Sequence, residues 1–262
     1  MTSPLGAGAP VICDLDGVIW LSLHAIAGSA DSIARLRASG HRVLFVTNNS
    51  SLMREDVEAA LQKVGVPAVG DVLTSAMAAA RLVEAGERAV VVGGPGILQA
   101  LGGRGVEIVA DGPADAVLVG FTRDFDYDAL RRANAAVRGG ARLIGTNDDA
   151  TYPTPDGPIP GGGALLAAVV TASGQRPVVA GKPYQPMADL VRAHLEGGPG
   201  GGLEGGVMIG DRQETDGDFA GRLGVRFGLV RSGVTPSGAV VDPPPAFDAP
   251  DLAALVDLLL AG

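Results

Sequence analysis

VICDLDGV, residues 11–18, runs from three apolar residues of strand type straight into two aspartates and a glycine. Val, Ile and Cys suit a strand buried on both faces, and Gly17 lets the backbone turn sharply and approach a ligand closely. In extended chain, residues two apart point the same way, so Asp14 and Asp16 share one side of the strand's carboxyl end. Two carboxylates held together repel unless a cation or a proton lies between them. The pair therefore suggests a magnesium site or a shared proton, at the sheet edge where open α/β folds place ligands. A solvated acidic turn is the plainer alternative.

The same design recurs three times downstream. VLFVTNNSS (43–51) is an apolar strand ending in Thr47, Asn48, Asn49, Ser50 and Ser51 just ahead of a helical period. Hydroxyls, amides and free helix N-terminal N–H groups suit a phosphate, and the same residues would also serve as an ordinary N-cap cluster. GKPYQP (181–186) follows the apolar run PVVAG, which places the Lys182 ammonium at a strand end, where it can balance a phosphate or a carboxylate pair. VMIGDRQETDGD (207–218) ends a fourth strand in Asp211, with Asp216 and Asp218 in the next turn. Complementing a helix dipole accounts for Asp216 or Asp218 but less easily for Asp211. Two acids, a hydroxyl and amide set, a lysine and a further acid group thus converge on strand ends, which points to a functional site.

Between these segments short β-rich runs alternate with helical periods. Strands are expected at 11–14, 43–47, 89–93, 106–109, 116–120, 142–146, 177–181, 207–211 and 226–230. Helices are expected near 29–39, 52–63, 75–85, 96–102, 127–138, 162–173, 184–195, 215–223 and 249–261. Such alternation predicts an α/β protein with a parallel sheet covered on both faces. TNDDATYPTPDGPIPGGG (146–163) is dense in turn formers and reads as a crossing between two lobes, and GGPGGG (197–202) as a flexible surface connection.

Composition agrees. With 262 residues, 47% hydrophobic but only 4% aromatic, the core must be built from Val, Ala, Leu and Ile. A net charge of -9 without a basic run argues against nucleic acid as a partner. The single cysteine, Cys13, excludes an intrachain disulfide and reads as a small buried filler, with the cytoplasm as the default compartment. No apolar run approaches the roughly 18 residues of a membrane span. His24, His41 and His194 lack ligand spacing and read as structural or surface residues. GGPG (93–96) has Gln99 where a dinucleotide fingerprint needs its third glycine, so it reads as a strand-to-helix turn. Trp20 reads as packing beneath the first strand end rather than lining its entrance.

The four segments DLDGV, VTNN, GKP and GDRQETD resemble the four ordered motifs of the haloacid dehalogenase superfamily. The whole arrangement resembles the sugar-phosphatase branch that includes NagD-like, phosphoglycolate and glycerol-phosphate phosphatases. That resemblance implies a Rossmann-like catalytic core at 1–74 and 177–262, interrupted by a large α/β cap at 75–176. It implies Asp14 as nucleophile and Asp16 as acid and then base, with Thr47, Asn48 and Lys182 holding phosphate. Magnesium would be held by Asp14, the backbone carbonyl of Asp16 and Asp211, with Asp216 and Asn49 in support. Asn147, Asp149 and Tyr152 in the cap would face the leaving group of a small phosphorylated metabolite, and caps of this kind can pair into a homodimer. A phosphomutase and a noncatalytic phosphate-binding protein are the rival functions.

Overall fold

The computed structural model describes residues 4–152, 154, 156–196 and 202–261. The chain begins β1 (Val11–Cys13), a hairpin of β2 (Trp20–Leu21) and β3 (His24–Ala25), α1 (Ser29–Ala38), β4 (Val43–Thr47), α2 (Arg54–Lys63), β5 (Val72–Thr74) and α3 (Ser75–Ala80). A second series runs β6 (Arg88–Val92), α4 (Pro95–Gly102), β7 (Glu107–Val109), β8 (Ala116–Val119), α5 (Tyr127–Arg138), β9 (Arg142–Gly145), a hairpin of β10 (Thr151–Tyr152) and β11 (Ile159–Pro160), α6 (Gly162–Ser173) and β12 (Val178–Val179). The chain then closes with α7 (Gln185–Glu196), β13 (Val207–Gly210), a π-helical turn Gln213–Gly217 running into α8 (Asp218–Leu223), β14 (Arg226–Val230), β15 (Phe247–Ala249) and α9 (Leu252–Leu260).

Two parallel sheets result. The larger has the order β15-β14-β13-β1-β4-β5, the smaller β12-β9-β8-β6-β7. The continuous apolar runs dictate this: β1, β4, β5 and β13 are buried at every position, as strands covered on both faces must be. Register matters for the site, because Val11 pairs with both Val43 and Val207. β1 therefore lies between β4 and β13, and the polar residues that follow those three strands emerge side by side.

One apolar cluster covers one face of the larger sheet through Val11, Phe45, Ile209 and Leu255. Another fills the outer face of the smaller sheet through Val117, Leu143 and Val169. The third is shared: Ile12, Leu44 and Met208 of the larger sheet belong to one buried cluster with Ile97, Leu118 and Ile144 of the second series, with Met187 and Val191 of α7 among them. The two sheets are thus joined through a common apolar layer. Among the described residues no helix is long and apolar enough to cross a membrane.

Three sequence expectations need correction. PVVAG (177–181), read as a strand of the core, forms only the short β12, which pairs with β9 of the smaller sheet, Val178 opposite Ile144. The smaller sheet therefore extends past the expected boundary at residue 176, and the chain crosses back to the larger one only after Val179. The 75–85 helix stops at Ala80, and the crossing at 146–163 contains the β10–β11 hairpin. Of GGPGGG, residues 197–201 lie outside the described residues.

GGPG is a strand-to-helix turn, and its glycines have a packing reason. The Gly96 N–H donates to the Ser51 carbonyl at 3.1 Å. A Cβ at Gly96 would collide with the carbonyl oxygen of Leu52 and approach that of Ser50 to 2.7 Å. Backbone cannot yield as a side chain can, so Gly96→Ala should destabilise the protein by about 1–3 kcal/mol. The expected result is a lowered midpoint in thermal or urea unfolding; an unchanged midpoint would mean that the two segments are not in contact.

Candidate active site

Asp14 follows β1 and is the centre of the arrangement. Its Oδ1 accepts the Leu15 N–H at 2.8 Å and lies 2.8 Å from the Lys182 Nζ. Oδ2 has no hydrogen-bond donor among the described residues. Burial pushes the Asp14 carboxyl well above its ordinary value; the Lys182 ammonium opposes that, and Asp216 and Asp211 add to it.

Lys182 is fully buried, and its ammonium also sits 2.7 Å from Asp216 Oδ1. Burial works against the charge, but the carboxylates of Asp14 and Asp216 outweigh it and hold the lysine above its usual pKa. Asn48, expected on phosphate, is spent on this lysine. Its Oδ1 accepts the Lys182 N–H at 2.7 Å, and its Nδ2 donates to the Lys182 carbonyl at 3.0 Å and to Asp149 Oδ2 at 2.9 Å. Both amide protons of the Asn48 side chain are thus engaged, which leaves neither for a phosphate oxygen. Thr47 is buried; its Oγ1 accepts the Asn49 N–H at 3.0 Å, which leaves the hydroxyl proton available. Asn49 turns its Oδ1 to Ser51, accepting from the backbone N–H at 3.0 Å and from the hydroxyl at 2.7 Å.

Asp211 follows β13, with its Oδ2 accepting the Val234 N–H at 2.6 Å. Burial first, then the charge of Asp216, pushes its carboxyl up to about 6. Asp216 reaches back through the π-helical turn, and its Oδ2 accepts the N–H groups of Asp211 and Arg212, both at 3.2 Å. Oxygens of Asp14, Asp211 and Asp216 all lie within 4.8 Å of one another. Three carboxylates facing one ammonium leave surplus negative charge in a buried place, and oxygen donors at this spacing suit a hard divalent cation. Asp216, expected only in support, is thus one of the three. The Asp16 carboxylate stands outside the trio.

Asp16 instead meets aromatic residues. Trp20 Nε1 donates to Asp16 Oδ1 at 3.2 Å, and the Tyr152 hydroxyl donates weakly to the same oxygen at 3.4 Å. Burial pushes Asp16 up to about 6, against the pull of these two bonds. Tyr152 stacks on Phe121 with ring centroids 5.5 Å apart. Trp20 is buried, as the packing expectation had it, and also touches the site.

Asn147 and Asp149, which follow β9 of the smaller sheet, bond to residues that follow β4 and β13 of the larger one. Asn147 Nδ2 donates to the Asn48 carbonyl at 2.8 Å, while its Oδ1 accepts the Asp149 N–H at 3.2 Å. Asp149 lies 3.8 Å from Arg212 as well as bonding Asn48. Burial raises its pKa, with the Asn48 bond and Arg212 opposing. Asp14, Asp16, Thr47, Asn48, Asn49, Asn147, Asp149, Tyr152, Lys182, Asp211 and Asp216 all line one cavity of about 70 Å³. Sequence reasoning missed Phe121, Arg212 and the loop Ser232–Thr235 that cradles Asp211. The loop had a readable signal in the turn formers SGVTPSG after a strand, whereas Phe121 had none.

Cys13 is buried as expected. His41 is buried with its Nδ1 2.9 Å from the Ala9 carbonyl, and His24 is exposed, so neither approaches the site.

Comparison with known proteins accounts for this arrangement. A model of haloacid dehalogenase-like hydrolases matches residues 11–107, and a second, of HAD-like hydrolases, matches 179–255. The chain is 35% identical over 232 residues to D-glycerol 3-phosphate phosphatase of Mycobacterium tuberculosis, covering 86% of this chain but 63% of that relative's length. It is 34% identical over 251 residues to human chronophin, covering 88% of this chain and 83% of the relative. The crystal structure of glycerol phosphate phosphatase from Mycobacterium tuberculosis in complex with magnesium superposes with a TM-score of 0.86 at 30% identity, over 100% of this chain and 81% of that one. Sequence, topology and the four strand-end segments agree, and the chain belongs to the haloacid dehalogenase-like hydrolases.

Proposed function

We propose that this chain is a magnesium-dependent phosphomonoesterase that hydrolyses a small phosphorylated metabolite through a phosphoryl group carried on Asp14. The observation that carries it is the state of Asp14: one carboxylate oxygen is fixed by Lys182 and the Leu15 N–H, and the other is left to attack. Binding alone needs no such nucleophile, which counts against a noncatalytic phosphate-binding protein.

In the first step Asp14 Oδ2 bonds to phosphorus as the bond from phosphorus to the alcohol oxygen breaks. Asp16, held near its midpoint at about 6 by burial, gives the departing alkoxide its proton. In the second step water attacks phosphorus, Asp16 takes the water's proton, and the bond to Asp14 breaks to release inorganic phosphate. Lys182 balances charge on Asp14 and the phosphoryl oxygens, and the free proton of the Thr47 hydroxyl serves another of those oxygens. Asn48 contributes by fixing the Lys182 backbone. Asp14, Asp211 and Asp216 offer the three hard oxygens that would hold magnesium. When bound, the metal supplies the positive charge that offsets repulsion between a carboxylate and a phosphate dianion.

A phosphomutase would use the same aspartyl-phosphate but must seat a sugar carrying a second phosphate. The cavity beside Asp14 measures about 70 Å³ and Lys182 and Arg212 are its only cations among the described residues, which favours hydrolysis. The net charge of -9 and the lone cysteine fit a cytoplasmic enzyme without nucleic-acid partners. Division of the chain into core and cap, and pairing of two copies through the cap, belong to the same proposal and rest on the resemblance.

Asp14→Asn should remain folded and lose turnover by a factor on the order of 10³ or more; release of inorganic phosphate near the wild-type rate would sink the mechanism. Asp16→Asn should lose about 10²–10⁴ on alkyl phosphates, whose alkoxide needs a proton, and far less in the first turnover of 4-nitrophenyl phosphate. Equal losses on both would remove Asp16 as the acid. Magnesium at a hundred times its Kd should add about 2.7 kcal/mol to stability, seen as a raised melting midpoint that shrinks in Asp211→Asn. A chelator should stop turnover and magnesium restore it; a midpoint indifferent to magnesium, with chelator-insensitive turnover, would take the metal away.

A further inference from the structure

We propose that the alcohol released by this enzyme is aromatic or compactly apolar, and that Leu23 determines that specificity; this deepens the phosphomonoesterase function proposed above and rests on it. The β2–β3 hairpin turns through Ser22 and Leu23, both in the left-handed region with φ of 47° and 69°. Two-residue turns of this kind favour Asn-Gly, because a side chain such as leucine is disfavoured there. Leu23 is also 48% exposed, so neither conformation nor burial explains a leucine at the tip. A non-glycine residue held in a disfavoured conformation beside a functional site points to a use for its side chain.

Leu23 lines a second cavity, of about 190 Å³, which opens beyond Asp16 and shares Asp16, Thr47, Asn49, Phe121 and Tyr152 with the phosphate site. Its remaining wall is Leu15, Trp20, Ser51, Leu52 and Val57, apolar but for the serine. Apart from the Thr47 hydroxyl proton, assigned above to a phosphoryl oxygen, the donors on its rim are engaged with one another. The Ser51 hydroxyl donates to Asn49, and the Trp20 N–H and the Tyr152 hydroxyl both donate to Asp16. A polyol placed there would give up water for few partners. An aromatic ring finds both faces and volume, since an apolar cavity of about 150 Å³ suffices for benzene. Asp16 stands where the two cavities meet, so an ester oxygen protonated by Asp16 can project its carbon frame between Leu23 and the Phe121–Tyr152 stack.

The test compares benzyl phosphate with glycerol 3-phosphate, in the presence of magnesium, for the wild type and for Leu23→Asn. Both esters leave as primary alkoxides, so leaving-group acidity does not decide the result. Asparagine tolerates the left-handed turn while removing the apolar side chain. Wild type should favour benzyl phosphate in kcat/KM, and Leu23→Asn should lower the ratio of benzyl to glycerol ester about tenfold, with the melting midpoint reporting an intact fold. A ratio that Leu23→Asn does not move, or a wild type that prefers glycerol 3-phosphate, overturns the assignment of this cavity and leaves the phosphomonoesterase standing. Wild type that releases phosphate from neither ester overturns the hydrolytic function itself and this inference with it.

Discussion

The buried ammonium of Lys182 is the interaction on which the site depends. An ammonium removed from water is costly unless it is paired and hydrogen-bonded, and here it lies between Asp14 at 2.8 Å and Asp216 at 2.7 Å. The pairing works in both directions, because the ammonium opposes the upward push that burial gives the Asp14 carboxyl. With Asp211 added, the carboxylates outnumber the ammonium. That surplus is what makes the place receptive to a cation and, with the cation, to a phosphate.

Holding one side chain in that position constrains backbone far from it. The chain leaves the smaller sheet at β12 and reaches Lys182 within three residues, so the lysine is delivered by a crossing between sheets rather than by a strand of the larger one. Asn48 grips both the N–H and the carbonyl of Lys182. At Gly181 a Cβ would lie 2.5 Å from Asn48 Oδ1 and 2.6 Å from the Thr146 carbonyl, so only glycine permits the approach. Gly210 has a similar duty, since a Cβ there would occupy the space of the Asp216 carboxylate. The glycines beside these catalytic segments are thus where backbone and carboxylates are allowed to touch, and the apolar layer common to both sheets keeps the contacts in register.

What the sequence made legible follows from the range over which each interaction acts. Asp14, Thr47 and Asp211 each end an apolar run, a local pattern, and could be placed at strand ends before any tertiary contact was known. Their adjacency depends on the order β13-β1-β4, which no single segment specifies. The carboxamide of Asn48 shows the limit of a local pattern. Its position beside Thr47 suggested phosphate, yet its partners are Lys182 and Asp149, 134 and 101 residues away. Phe121 was unreadable for the same reason, since its significance lies in a ring 31 positions along the chain. The strand expected at 177–181 erred differently: its apolar composition was right, but the sheet that pairs with it is chosen by register against β9.

A division of labour within the site follows from these distances. The charged centre is over-determined, because each carboxylate in it has at least one fixed donor and the lysine has two anionic partners, so exchanging one residue disturbs the others. The wall beyond Asp16 is built otherwise. Trp20 reaches it from the first hairpin, Tyr152 from β10 and Phe121 from the segment after β8, and they meet through ring stacking and weak bonds to a single carboxylate oxygen. Such contacts are individually small and separable. Changing one alters the shape of that wall without unpairing a buried charge, so under the proposed mechanism substrate choice can vary on this scaffold while the chemistry on Asp14 stays fixed.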